Sequence, residues 1–216
     1  MGAVPGELAA ELNAILGLRR AVETGTYRGG SARALAGIFD EVVTIELSEE
    51  LYRSAAEELA SSRNVRPMLG DSRLLLGPLA AVGVPTLYWL DGHWSGGSTA
   101  GAGHECPVLD ELDAIAGGHR HDCVLIDDAR LFAASPPPPH DPAHWPTLLK
   151  VLDALRAHWP SHHVTVLHDI VIAVPSAARP AVEAFAHRSA EELTPLPITH
   201  RLAALATTAA RRLTIS

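Results

Sequence analysis

Carboxylates recur in one kind of place along this chain, directly after short apolar runs. Glu23 precedes Thr24-Gly25, and Glu46 closes Val42-Val-Thr-Ile-Glu46. Asp71 follows Met68-Leu-Gly70, and Asp91 follows Leu87-Tyr-Trp-Leu90. Asp127 and Asp128 follow Val124-Leu-Ile126, and Asp169 follows His168. One such acid is ordinary, because Asp and Glu suit turns and helix N-caps. Six in succession suggest a rim of acids with a shared task. A carboxylate at Glu46, 21 residues after Gly25, can accept both hydroxyls of a ribose. Asp71 can accept from an adenine amino group, or cap the next helix, or do both. Asp91, Asp127 and Asp128, if neighbours, repel one another unless a cation neutralises them, and hard oxygen ligands suit Mg²⁺, Mn²⁺ or Ca²⁺. A metal would lower the pKa of a bound hydroxyl. His93, two residues after Asp91, could then remove its proton, since imidazole titrates near neutrality. His104 and His168 are rivals for that task. His119, His121, His140, His144, His162 and His163 read as solvated.

These residues need elements to hold them. Apolar periodicity and caps predict helices over 7–18, 30–39, 48–62, 72–81, 108–116, 145–158 and 176–192. Strands are predicted over 21–26, 41–47, 65–71, 86–91, 122–128 and 162–168, with Pro67 pushing its strand toward a sheet edge. Alternating strands and helices imply a parallel sheet with helices on both faces. In such sheets ligands bind outside the carboxyl ends of the strands, where the acids cluster. Gly96 to Gly103 reads as a flap over an acceptor site, with Trp94 against substrate. Residues 130–144, with Pro136 to Pro139, read as a stiff surface loop, and the last twenty residues fit helix and strand equally.

Composition narrows the function classes. The 216 residues carry 17 Lys+Arg against 25 Asp+Glu, a formal net charge of −8, and 47% are hydrophobic. That excludes a disordered chain and argues against nucleic acid or an anionic membrane as partner. Lys150 is the only lysine, and there is no GxxxxGK[ST] run, so neither a P-loop nor a Schiff-base site is expected. Cys106 and Cys123 form no CxxC and read as reduced thiols. No apolar run reaches the roughly 18–20 residues that span a bilayer. The start lacks a signal-peptide core. A cytoplasmic location is the expectation.

Taken in order, Val22-Glu-Thr-Gly-Thr-Tyr-Arg-Gly-Gly-Ser31, Ile45-Glu-Leu47, Gly70-Asp-Ser72 and Leu90-Asp-Gly-His93 resemble the successive motifs of class I S-adenosylmethionine-dependent methyltransferases. The resemblance spans about residues 20–170. It implies an α/β, Rossmann-like, doubly wound and mostly parallel seven-stranded sheet flanked by helices. One domain over 1–216 is expected, with an N-terminal helix at 5–18, a cofactor half at 20–92 and an acceptor and metal half at 93–216. Carried over, Glu23, Gly25 and Ser31 hold the methionine end of S-adenosylmethionine, Glu46 the ribose and Asp71 the adenine. Thr24, Leu47, Ser72 and Asp91 complete the set. The first motif departs from GxGxG, which leaves Tyr27 and Arg28 with open roles; Arg28 could pair with the cofactor carboxylate. Asp91 with Asp127-Asp128 is similar to the metal site of macrocin-type O-methyltransferases. The implied reaction is methyl transfer to a hydroxyl of a small sugar, polyketide or phenolic acceptor, assisted by Mg²⁺, with Asp91 and His93 catalytic. A homodimer is plausible by analogy. Two alternatives stand beside it: a nicotinamide-dependent oxidoreductase, and a cofactor-binding subunit without turnover.

Overall fold

The computed structural model describes residues 3–94, 101 and 103–193. Most of the expected flap and the C-terminal stretch lie outside the described residues. Seven strands form one sheet: β1 Arg20–Thr24, β2 Glu41–Glu46, β3 Val65–Leu69, β4 Thr86–Leu90, β5 Cys123–Ile126, β6 His162–Leu167 and β7 Ile170–Pro175. Their order is β3-β2-β1-β4-β5-β7-β6. Strands β3 to β5 are mutually parallel, and β7 runs antiparallel to both neighbours. Pro67 does fall in an edge strand, where a missing N–H costs least.

The helices are α1 Gly6–Leu16, α2 Gly30–Ala36, α3 Glu49–Leu59, α4 Ser72–Ala81, α5 Val108–Ile115, α6 Ala129–Ala133, α7 Leu148–His158 and α8 Arg179–Leu193. Three starts are written in local sequence. The side chain of Ser48 accepts from Leu51 N, Asp71 from Arg73 N and Thr147 from Lys150 N. Each satisfies an N–H that the helix itself leaves unpaired. β1, β4 and β5 are buried along their whole length. A strand covered on both faces reads as a continuous apolar run rather than an alternating one. The core includes Tyr88, Leu90, Leu112, Ile126 and Val171, all at most 1% exposed.

Two stretches differ from expectation. The sixth strand leads into a two-residue turn, His168-Asp169, and returns as β7. Both turn residues have positive φ, 49° and 68°, the pattern of a type I′ hairpin, whose twist matches that of the strands. Ile170–Pro175 is a continuous apolar run buried throughout between β5 and β6. The expected loop after β5 contains α6 and one 3-10 turn, Pro142–His144.

Contacts divide the chain into a unit over residues 1–181, which holds the sheet, and a second from Val182 onward. The described part of the second is the remainder of α8. Cys106 and Cys123 are free and buried. Among the described residues no helix is long and apolar enough to cross a membrane.

Candidate active site

The strand order reverses between β1 and β4, which opens a crevice at their carboxyl ends. Register then fixes the neighbours. Thr24 lies opposite Ile45 on one side and Leu90 on the other, so Gly25, Glu46 and Asp91 follow side by side. Leu90 lies opposite Ile126, which sets Asp91 beside Asp127. A cavity of about 440 Å³ opens over these ends, within the usual range of roughly 300–1,000 Å³ for small-molecule sites.

On the β1–β3 side the cavity wall includes Gly25, Tyr27, Glu46, Leu47, Asp71 and Ser72. Gly25 has φ +82°, and an added Cβ would overlap the Asp91 carbonyl oxygen. Only glycine lets the first turn pass so close to β4. Glu46 accepts from two backbone N–H groups, Tyr27 N and Ser48 N, both at 2.9 Å. Its carboxylate is thus fixed while lining the cavity. Asp71 caps α4 and also receives Arg73 Nη2 at 2.6 Å. The Arg73 hydrogen bonds outweigh the modest burial and hold its carboxyl below the ordinary range. Ser72 turns its hydroxyl to Glu111, at 2.6 Å. Leu47 is half exposed, an apolar surface beside Glu46.

Four expected cofactor residues do not form part of the cavity wall. Thr24 is buried and accepts Asp91 N at 3.3 Å. Glu23, 2% exposed, takes the Thr44 hydroxyl at 2.6 Å. Burial pushes its carboxyl up to about 8, against the hydrogen bonds from Thr44 and Ser31. Ser31, on α2, meets Glu23 and Val4 N. Arg28 is exposed, with its guanidinium over the Tyr27 ring at 5.3 Å.

On the β4–β5 side, His93 Nε2 is 2.6 Å from Asp128 Oδ2 and 3.7 Å from Asp91 Oδ1. Asp128 Oδ1 faces Arg130 Nη1 at 2.5 Å, and the same guanidinium pairs with Asp169 in the β6–β7 turn. Burial raises the Asp91 carboxyl to about 7, with Asp127 and Asp128 adding to the rise and His93 opposing it. Burial also works against ionised Asp128, but the His93 bond and charge, with Arg130, hold it at about 2. His93 is raised: burial opposes its charge, and Asp128 and Asp91 outweigh that. Asp127 is buried, with its N–H on Leu90 O at 3.1 Å. The acids expected to hold a divalent cation are therefore neighbours, but an imidazole and a guanidinium already compensate Asp128. Among the described residues no three His, Cys, Asp or Glu side chains stand where they would hold a metal ion.

Trp94, expected against substrate, lines the cavity beside a residue that local sequence did not reveal. His140, read as solvated, lines it with Trp94 and Pro137. Its Nδ1 meets Glu105 Oε2 at 3.1 Å, and its ring stands edge-on to Trp94 and Trp145. Glu105 also accepts Trp145 Nε1 at 2.8 Å and Asp141 N at 2.9 Å. The Pro136–Pro139 run leads directly into this residue. That was its only sequence signal.

No protein-family model matches the chain, and no curated protein matches it either. Solved structures do. The Bacillus cereus O-methyltransferase in complex with S-adenosylhomocysteine has a TM-score of 0.58 at 16% identity, over 81% of this chain and 82% of that one. The O-methyltransferase TomG of Streptomyces achromogenes, involved in tomaymycin synthesis and in complex with S-adenosylmethionine, has 0.57 at 20% identity, over 82% of each chain. The S-adenosylhomocysteine-bound methyltransferase PaMTH1 of Podospora anserina has 0.52 at 18%, over 81% and 79%. Sheet order, antiparallel β7 and these likenesses agree: the chain has the fold of the class I S-adenosylmethionine-dependent methyltransferases.

Proposed function

We propose that the protein transfers a methyl group from S-adenosylmethionine to a hydroxyl oxygen of a small sugar, polyketide or phenolic acceptor. One observation carries the reading: the cavity lies at the topological switch point, with a backbone-fixed carboxylate, Glu46, beside exposed Leu47. That pairing suits a ribose next to a flat base. The similar folds that hold S-adenosylmethionine or S-adenosylhomocysteine support the same ligand. Asp71, already paired with Arg73, contributes its remaining acceptor capacity and the start of α4.

When bound, S-adenosylmethionine supplies a methyl activated by a sulfonium. The chain's part is orientation, exclusion of water and proton handling, and proximity alone supplies much of such a rate. Asp91 stands between the two halves of the cavity, and His93 lies between Asp91 and Asp128, hydrogen-bonded to Asp128. That pairing supports acid–base transfer in which these acids serve the protein's own cations. Activity is then insensitive to a chelator such as EDTA; loss with EDTA and recovery with Mg²⁺ would restore a metal role. Nicotinamide binding, the other use of a carboxylate after β2, is tested by NADH fluorescence, with no enhancement expected.

A further inference from the structure

We propose that His140 takes the proton from the acceptor hydroxyl, with Glu105 holding its ring. The inference rests on the methyl-transfer reading and names the base for that reaction. Glu105 is 3% exposed and receives three N–H groups, from Trp145, Asp141 and His140. Burial raises its carboxyl, but those hydrogen bonds outweigh burial and keep it below the ordinary range. A carboxylate can only accept, so the ring proton sits on Nδ1 of His140. That leaves Nε2 as the basic nitrogen of a residue that lines the cavity. A carboxylate on one ring nitrogen orients the imidazole and stabilises the charge it gains, the logic of base and orienter in acyl transfer.

Three further observations agree. His140 is held edge-on by Trp94 and Trp145, with centroids 5.5 and 5.3 Å away, so its ring has little freedom. Its side chain is 13% exposed, enough for contact with a ligand and too little for free hydration. His93, by contrast, has Nε2 already bonded to Asp128 at 2.6 Å.

The step balances simply. The acceptor O–H proton passes to His140 Nε2. The oxygen lone pair forms the new C–O bond to the methyl carbon. The C–S bond breaks with its electrons returning to sulfur, which becomes a neutral thioether. The imidazolium then releases its proton to water.

The test combines three measurements on the full chain, wild type and His140→Gln. Long-range ¹H–¹⁵N spectra of histidine-labelled wild-type protein report the tautomer, with His140→Gln assigning the signal. Titration with S-adenosylhomocysteine reports the cofactor side. Methyl transfer from S-adenosylmethionine to 3,4-dihydroxybenzoate reports the chemistry. Expected are an unprotonated Nε2 and protonated Nδ1 on His140 at neutral pH, unchanged S-adenosylhomocysteine affinity in His140→Gln, and a fall in transfer of about 100-fold or more. A proton on Nε2, or transfer by His140→Gln at the wild-type rate, overturns the assignment. If wild type does not methylate this probe, the tautomer alone decides. Absence of S-adenosylhomocysteine binding to wild type defeats the methyl-transfer reading instead.

Discussion

The two halves of the cavity rim hold their acids by different means. At the ends of β1 to β3, Glu46 and Asp71 each accept a backbone N–H two residues further on, at Ser48 and Arg73, and Glu46 also accepts Tyr27 N from the first turn. At the ends of β4 and β5, and in the wall beyond them, partners are far away in sequence. His93 meets Asp128 across 35 residues, Arg130 meets Asp169 across 39, and Trp145 meets Glu105 across 40. The first half builds a fixed surface from turns and caps. The second builds one from long-range pairs, of which His93–Asp128 is buried and tolerates loss of a partner poorly because the group left behind stays desolvated. A preformed binding surface on one side and tuned proton chemistry on the other is the division that group transfer requires.

Substitutions break the comparison at different points. The largest effect is expected for Gly25→Ala, where both halves touch: the new Cβ overlaps the Asp91 carbonyl and the backbone has positive φ. It should lose more than about 1 kcal/mol from strain alone and bind no S-adenosylhomocysteine, as urea unfolding and calorimetry would report. Asp128→Ala acts on the second half only. It strips His93 and Arg130 of a shared partner whose side chain is 10% exposed. A loss of about 3 kcal/mol is expected in urea, and a loss below about 0.5 kcal/mol would mean the pair is not formed.

Glu23 gives a smaller, pH-dependent effect. Its carboxyl ionises near 4.5 ordinarily and near 8 in the fold. Between those values the folded state binds more protons, so the contribution is full below 4.5, declines as pH rises, and levels off above 8. Glu23→Gln keeps an acceptor for Thr44 and carries no charge, so its urea midpoint should fall less between pH 6 and 8.5 than the wild type's. An equal fall in both would show that Glu23 is already ionised at neutral pH. The smallest effect is expected for Arg28→Ala. The side chain is exposed over Tyr27, so stability should change by no more than about 0.5 kcal/mol. A large loss of S-adenosylhomocysteine affinity would instead give Arg28 the cofactor carboxylate.

The same contrast explains what the chain's sequence disclosed. Strand ends, caps at Ser48 and Asp71 and the turn at Gly25 depend on neighbours a few residues away, so spacing and residue type exposed them. The adjacency of β4 and β5 followed from the βα alternation, and with it the closeness of Asp91 and Asp127. β7 was hidden because it follows β6 after only a two-residue turn, His168-Asp169, whose αL residues no glycine marks. His140 was hidden for another reason. Its burial comes from Glu105, Trp94 and Trp145, and nothing beside it in sequence except a proline run hints at a fixed position. The compensation of Asp128 by His93 and Arg130 was likewise invisible, because three acids in a row of strand ends look the same with or without internal cations.

Glu46 and its neighbours are proposed to hold the ribose and adenine of S-adenosylmethionine. Calorimetric titration of the wild-type chain and Glu46→Ala with S-adenosylhomocysteine tests this most directly. Saturable one-site binding to wild type is expected, weakened in Glu46→Ala by about 10-fold or more, since a charge-assisted hydrogen bond contributes about 1.5–3 kcal/mol. No binding to wild type, or equal binding by the variant, would contradict it.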